Sequence, residues 1–292
     1  MSFHSHRGAD SLWDTTVRCL WWAQQLSVVQ SVVAAAKTAF AMALLGVTAP
    51  AAPVVVGFVT FAIYTANDLA DVAEDGINCP ERSAFVSDHW ATVATLAVVG
   101  LLLGVGLALA AGGVAAVTVA LVPVVASILY SVPVASGRRR LKDVFLVNTA
   151  LVAGAWGVTV TLLPLVLAGR PAGPLAAAVC LFFVLRSVVS VEVFNVRDVV
   201  GDAVTGVDTL PVVLGVGRTR HLLATLDGCS LAVLVALTPV ADASLPAVFG
   251  LAVVSYSLSI TWFLGQTNAT ELLCLAKDGE YLLLGLVALA LA

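Results

Sequence analysis

Charge is what this chain has least of. Of its 292 residues only 11% are Asp, Glu, Lys or Arg, while 60% are hydrophobic. A soluble domain carries about 25% charged residues, so too few remain here to coat a water-facing surface. Cysteine is scattered: Cys19, Cys79, Cys180, Cys229 and Cys274 include no Cys-x-x-Cys pair. That excludes the usual zinc spacing and gives no disulfide framework, so they read as isolated reduced thiols in or beside helices. No basic tract with interleaved aromatics exists, which argues against a nucleic-acid partner. A cleaved signal peptide is not expected, because Asp10 and Asp14 precede a first apolar run longer than a signal core.

What the chain has instead is apolar length, with a mean hydropathy of +1.04. Runs of about 20 apolar residues can cross a hydrocarbon core of about 30 Å. Lipid offers the backbone no hydrogen bonds, so such runs must be helices. Nine spans are expected, at 25–45, 51–65, 90–110, 113–132, 144–167, 174–193, 222–240, 245–264 and 281–292. Pro, Gly or charge breaks the chain between them, as at Gly112-Gly113 and Gly169-Arg170-Pro171. The fold expected is an all-α integral membrane bundle of about nine transmembrane helices. It forms a single domain over 1–292, with a short cytoplasmic tail at 1–20.

The charges that do exist fall on one side. The tail and the loops after spans two, four, six and eight hold nearly all the Arg and Lys, from Arg7 to Lys277; the opposite loops hold only Arg170, and Lys37 and Arg186 lie within spans. Basic residues favour the cytoplasmic face, so a multi-pass protein of the cell membrane is expected, with its charged side cytoplasmic.

Two acidic motifs stand on that side. Span two runs into Asn67, Asp68, Asp71 and Asp75; span six runs into Asn195, Arg197, Asp198 and Asp202. At helical spacing the four residues of the first set share one face, and so do Asn195, Asp198 and Asp202 of the second. Like charges so placed repel, which makes most sense if a cation normally sits among them. Four crossings separate the motifs, so both face one compartment and can share a ligand. Carboxylates do not bind a diphosphate directly, but they hold Mg²⁺, which takes oxygen ligands and keeps places for phosphate oxygens. The candidate metal ligands are Asn67, Asp68, Asp71, Asp75, Asn195, Asp198 and Asp202. The metal would neutralise charge on a leaving diphosphate. Arg82, Arg138, Lys142 and Arg197 are candidates to bind that diphosphate directly. An apolar bundle beneath suits a polyprenyl tail.

At these residues the chain resembles the UbiA superfamily of intramembrane prenyltransferases, and looks most like its archaeal members. Asn67, Asp68, Asp71 and Asp75 match the family's Asn-Asp-x-x-Asp-x-x-x-Asp motif. Asp198 and Asp202 match its Asp-x-x-x-Asp, and Gly206 with Thr209-Leu210-Pro211 matches its continuation. The resemblance implies nine helices and two Mg²⁺ ions bridging the motifs and a prenyl diphosphate. It also implies ionisation to an allylic cation and capture by a hydrophobic acceptor in the membrane lipid. Asp71 and Asp198 are the residues expected to carry catalysis. Two departures stand out: Ser83 follows Arg82 where many members have Pro, and Val134 stands four after Tyr130 where many have Lys.

Other charges have less definite readings. Lys37 lies well inside span one, where a charge costs roughly 2.5–3.5 kcal/mol; it either reaches a cavity or pairs with an acid. Arg186 and Glu192, six apart on span six, either pair internally or, for Glu192, extend the acidic face. Three functions compete: prenyl transfer to a lipid-soluble acceptor, cyclisation of the prenyl chain by the same ionisation, and ion transport. Transporter acids gather near the midplane on broken helices, unlike these. Val54, Val55, Val56, Val188, Val189 and Val191 suggest an aliphatic tunnel, which suits a linear tail and hence transfer.

The span count is open to direct test. On a cysteine-free background, Arg138→Cys and Asp208→Cys should react with a membrane-impermeant maleimide from the cytoplasmic side, and Arg170→Cys from outside. Labelling of 138 and 208 from opposite sides would mean an odd number of crossings between them.

Overall fold

A computed structural model describes residue 22 and residues 25–131, 140–240 and 243–291, without the side chains of 74, 75 and 78. The described elements are α1 (Val28–Leu45), α2 (Ala51–Ala70), α3 (Val72–Asn78), α4 (Pro80–Asp88), α5 (Trp90–Ser131), a 3₁₀ turn (Leu141–Asp143), α6 (Val147–Leu167), α7 (Pro174–Thr205), α8 (Leu210–Leu214), α9 (Val216–Leu237), α10 (Ser244–Phe263) and α11 (Thr270–Leu291). Seven of these are long and apolar enough to cross a membrane: α1, α2, α5, α6, α7, α9 and α10.

One of the seven is too long for a single crossing. Helix α5 has 42 residues, about 63 Å at 1.5 Å per residue, roughly twice a hydrocarbon core. It breaks at Gly113, whose φ of 63° and ψ of −157° lie outside the helical region and suit only a residue without Cβ. The chain then returns, because Ser127 Oγ donates to Asn67 Oδ1 at 3.0 Å, at the end of α2. The expected spans 90–110 and 113–132 are therefore the two arms of one broken helix.

Helix α11 escapes a composition test because Glu271, Lys277, Asp278 and Glu280 interrupt it. It nonetheless packs on α1, α7 and α10. Neighbours in sequence pack in turn: α1 on α2, α2 on α5, α5 on α6, α6 on α7, α7 on α9, α9 on α10, α10 on α11. With α11 against α1 the helices close into a ring. Small residues allow the close approaches. A Cβ on Gly157 would stand 2.5 Å from Val184 Cγ2 across α6–α7, and one on Gly285 would stand 2.6 Å from Ala36 Cβ across α11–α1.

Charge closes one side of the ring. Arg186 of α7 is fully buried, as are Asp227, Lys277 and Glu280. Its guanidinium reaches Glu280 through Nε at 2.9 Å and Nη2 at 2.7 Å. It also donates to Asp227 of α9 and, at 2.5 Å, to Ser257 of α10. Lys277 Nζ donates to Glu280 at 2.5 Å and to Ser257 at 2.8 Å, and Thr261 Oγ1 donates to Asp227 at 2.6 Å. Tyr281 Oη donates to the Arg186 carbonyl at 2.8 Å. Arg186 is thus an internal ion pair, one of its two expected readings, and the cluster joins four helices.

Removing one partner of such a cluster strands the other charges. Arg186→Met should lower unfolding stability in detergent by about 3–5 kcal/mol, read as a fall in the thermal midpoint. A midpoint within a degree of the parent would show that the cluster does not hold the ring.

Candidate active site

Motif one ends a helix rather than riding through it. Helix α2 is longer than the expected span and carries Asn67 and Asp68 in its last turn; Asp71 is its C-cap, with φ −105° and ψ 16°. Repelling carboxylates and the low helix propensity of Asp explain the break. A continuous face through Asn67, Asp71 and Asp75 is therefore not formed, and Asp75 sits on the separate short α3. Motif two behaves as expected: α7 runs unbroken from Pro174 to Thr205 and carries Asn195, Asp198 and Asp202.

Asp68, Asp71, Asp198 and Asp202 each have a partner. Ser27 Oγ donates to Asp68 Oδ2 at 2.8 Å, and Arg82 Nη1 lies 3.7 Å from Asp68 Oδ1. Lys142 Nζ donates to Asp71 Oδ1 at 2.7 Å, with Arg140 Nη1 4.0 Å away. Arg197 forks onto Asp198 with two bonds of 2.7 Å, and Thr209 Oγ1 donates to Asp202 at 3.3 Å. The 3₁₀ turn presents Lys142: Arg140 bonds Asp143 through its amide at 2.8 Å and its guanidinium at 3.1 Å. Burial pushes the Asp143 carboxyl up, but the hydrogen bonds and charge of Arg140, with Lys142 beside, outweigh it and hold the group below its ordinary value. At neutral pH it therefore stays ionised and keeps Arg140 in place.

The two motifs meet at one cavity of about 310 Å³. Asn67 of α2, Arg82 of α4, and Asn195 and Arg197 of α7 line it. Gln30, Val33 and Lys37 come from α1, Thr60, Ile63 and Tyr64 from α2, Ser127 and Tyr130 from α5, Val152, Trp156 and Val160 from α6, and Asp278 from α11. None of the motif acids with a described side chain lines it: Asp68 and Asp198 adjoin it through their bonds to Arg82 and Arg197, whereas Asp71 with Lys142, and Asp202 with Thr209, stand outside the lining. Among the described residues no three acidic, His or Cys side chains converge as a metal-holding group. Protein cations hold Asp71 and Asp198 instead. The donor chemistry still fits Mg²⁺, since every candidate offers oxygen and the acids outnumber what one cation neutralises. Arg138 and the side chain of Asp75 lie outside the described residues.

The cavity wall differs from the aliphatic tunnel expected. Of the six valines only Val191 lines it; Val55, Val56 and Val189 are buried in packing and Val54 is exposed. Aromatic residues take their place: Tyr64, Tyr130, Trp156 and Phe194. Lys37 reaches the cavity, the first of its two expected readings, and holds its ammonium 3.9 Å from the centre of the Tyr281 ring. Glu192 is buried and takes a hydrogen bond from Thr149. Sequence reasoning missed Asp278 altogether. Starting the last span at residue 281 placed Lys277, Asp278 and Glu280 in a loop. The signal that could have found them is the polar interruption of an otherwise apolar run from 270 to 291.

A family model described as the UbiA prenyltransferase family matches residues 19–272. No curated protein matches the chain. Among solved structures, a UbiA homolog from Archaeoglobus fulgidus bound to GPP and Mg²⁺ is similar at a TM-score of 0.68 and 16% identity, over 91% of this chain and 98% of that one. The same homolog bound to DMAPP and Mg²⁺ gives a TM-score of 0.65 at 16% identity, over 91% and 98%. A digeranylgeranylglyceryl phosphate synthase gives 0.59 at 15% identity, over 94% and 99%. At such identities the likeness shows the fold.

Proposed function

Because this chain belongs to the UbiA prenyltransferase family, we propose that it is an Mg²⁺-dependent intramembrane enzyme that ionises a polyprenyl diphosphate and transfers the prenyl group to a separate lipid-soluble acceptor. The observation that carries the reading is that residues of both motifs line one cavity. Asn67 and Asn195, one from each acidic motif, line it together with Arg82 and Arg197, and aliphatic and aromatic side chains such as Val33, Ile63, Trp156 and Phe194, interspersed with Lys37 and Asp278, make up the rest. A diphosphate fits the first end and a hydrocarbon tail the second. Bound DMAPP, GPP and Mg²⁺ in the archaeal homolog of the same fold support the choice of ligand.

Asn67, Asp68, Asp71, Asp75, Asn195, Asp198 and Asp202 would hold the metal. Bound there, Mg²⁺ supplies positive charge against the leaving diphosphate. Arg82, Arg197 and Lys142, with Arg138, offer charge-assisted hydrogen bonds to phosphate oxygens. Lys142 and Arg197 are held at the mouth by Asp71 and Asp198, so the diphosphate meets oriented cations rather than free ones. The lining helices α1, α2, α5, α6, α7 and α11 would shield an allylic cation from bulk water and so prolong its life. The motif side is assigned to the cytoplasm from the basic loops, and the chain to the cell membrane as a single domain.

The aromatic wall favours one second reading, a membrane cyclase, because aromatic faces stabilise positive charge along a folding chain. Acceptor dependence separates the two. Purified protein receives geranylgeranyl diphosphate and Mg²⁺, with and without a membrane lipid extract. Transfer requires a prenylated lipid that forms only with extract and is lost on chelation. A cyclic product formed without extract would establish the cyclase. Asp71→Ala and Asp198→Ala should each lower turnover at least about a hundredfold while leaving the thermal midpoint nearly unchanged. Near-parental turnover in either variant would sink the shared site.

A further inference from the structure

One acid in the cavity wall belongs to neither motif. Asp278 is 9% exposed and lines the cavity. Its neighbours on the same helical turn are committed elsewhere, since Lys277 and Glu280 bond each other, and Ser257 and Arg186 complete that cluster. The Asp278 carboxylate faces differently. Among the described residues it takes no hydrogen bond and has no cation within 4.0 Å; Lys37, Lys277 and Arg197 act on it only through charge at longer range. Lys37, one of three cations that line the cavity with it, rests on the Tyr281 ring. A buried carboxylate is costly without hydrogen-bonding partners, so one left open toward a substrate cavity points to a ligand.

Its depth indicates which part of the ligand. Glu271 approaches Arg197 of motif two at 4.0 Å. Asp278 lies seven residues further along α11, about 10 Å at 1.5 Å per residue. The carboxylate therefore lines the same cavity as Asn67, Arg82, Asn195 and Arg197, within about 10 Å along α11 of the Glu271–Arg197 contact, on the side where a diphosphate bound by those residues would meet its chain.

We propose that Asp278 is a catalytic carboxylate that faces the allylic cation and stabilises it as the diphosphate departs. The proposal rests on the reading of the cavity as a prenyl diphosphate site, and holds for transfer and cyclisation alike. In the step, the C1–O bond breaks and both its electrons leave with the diphosphate. Positive charge spreads over C1 and C3 opposite the Asp278 carboxylate. An electron pair from the acceptor, or in cyclisation from a double bond of the chain itself, then closes the new bond to the cation, and the proton lost afterwards passes to the departed diphosphate. A fixed negative charge placed where positive charge develops acts on the transition state more than on the neutral ground state.

Two probes test this without knowledge of the acceptor. Geranylgeranylamine with inorganic diphosphate and Mg²⁺ carries the cation's charge; geranylgeranyl thiolodiphosphate with Mg²⁺ matches the neutral substrate. Asp278→Asn keeps the shape and removes the charge. It should weaken the amine at least about tenfold and the thiolodiphosphate no more than about twofold, with Asp278→Glu restoring most of the difference. Equal weakening of both probes would make Asp278 structural and overturn the proposal, as would no change in either. If Asp278→Asn does not fold, Asp278→Ser is read by the same criterion. Failure of the parent protein to bind either probe would overturn the prenyl diphosphate reading itself, and this proposal with it.

Discussion

A charge within a bilayer must find its partners inside the protein, and Arg186 shows how much architecture that demands. Its guanidinium satisfies Glu280 of α11, Asp227 of α9 and Ser257 of α10 from a position on α7. Apolar side chains contribute little direction here, because lipid tails are as apolar as Leu. Hydrogen bonds and ion pairs within four helices supply the direction instead. They fix the register of α11, which carries Glu271, Lys277, Asp278 and Glu280, and α11 is the element that closes the ring onto α1.

The cavity follows from that closure. With α11 seated, one face of its central turn is consumed by the ionic cluster and the other turns Asp278 inward. Across the cavity α2 brings Asn67, and α7 brings Asn195 and Arg197. Helix α7 therefore serves two purposes along its length. Arg186 anchors the scaffold, and twelve residues later, about 18 Å along the axis, Asp198 carries motif two. Packing of the scaffold and placement of the chemistry are coupled through one straight helix.

The motif acids illustrate a second economy of charge. Asp71 and Asp198 are held by Lys142 and Arg197, so the negative charges are compensated before any ligand arrives. The same cations are of the type that binds phosphate. A mouth built this way keeps both signs of charge oriented, in a setting where neither is well solvated.

How much of this was legible in advance depends on the range of the interaction concerned. Apolar run length is local, and it determined the helical membrane class, the crossings through α10 and the break at Gly113. The acidic motifs are local as well, so their residues and their common compartment could be read from spacing and a count of crossings. Side-chain partnership is not local. Sequence could offer Arg186 an internal ion pair but could not name Asp227 and Glu280, which lie 41 and 94 residues away. It could not show that Asp71 breaks its helix and takes Lys142, 71 residues on, as a partner. Nor could it say which wall of each helix faces inward, so valines were chosen where Tyr64 and Trp156 stand. Composition by itself determined that this chain lives in a membrane and carries two oxygen-rich clusters. Only the tertiary structure decided that the clusters share one cavity and that Asp278 faces into it, because the closing contact between the last helix and the first is set by packing and buried charge across the whole chain.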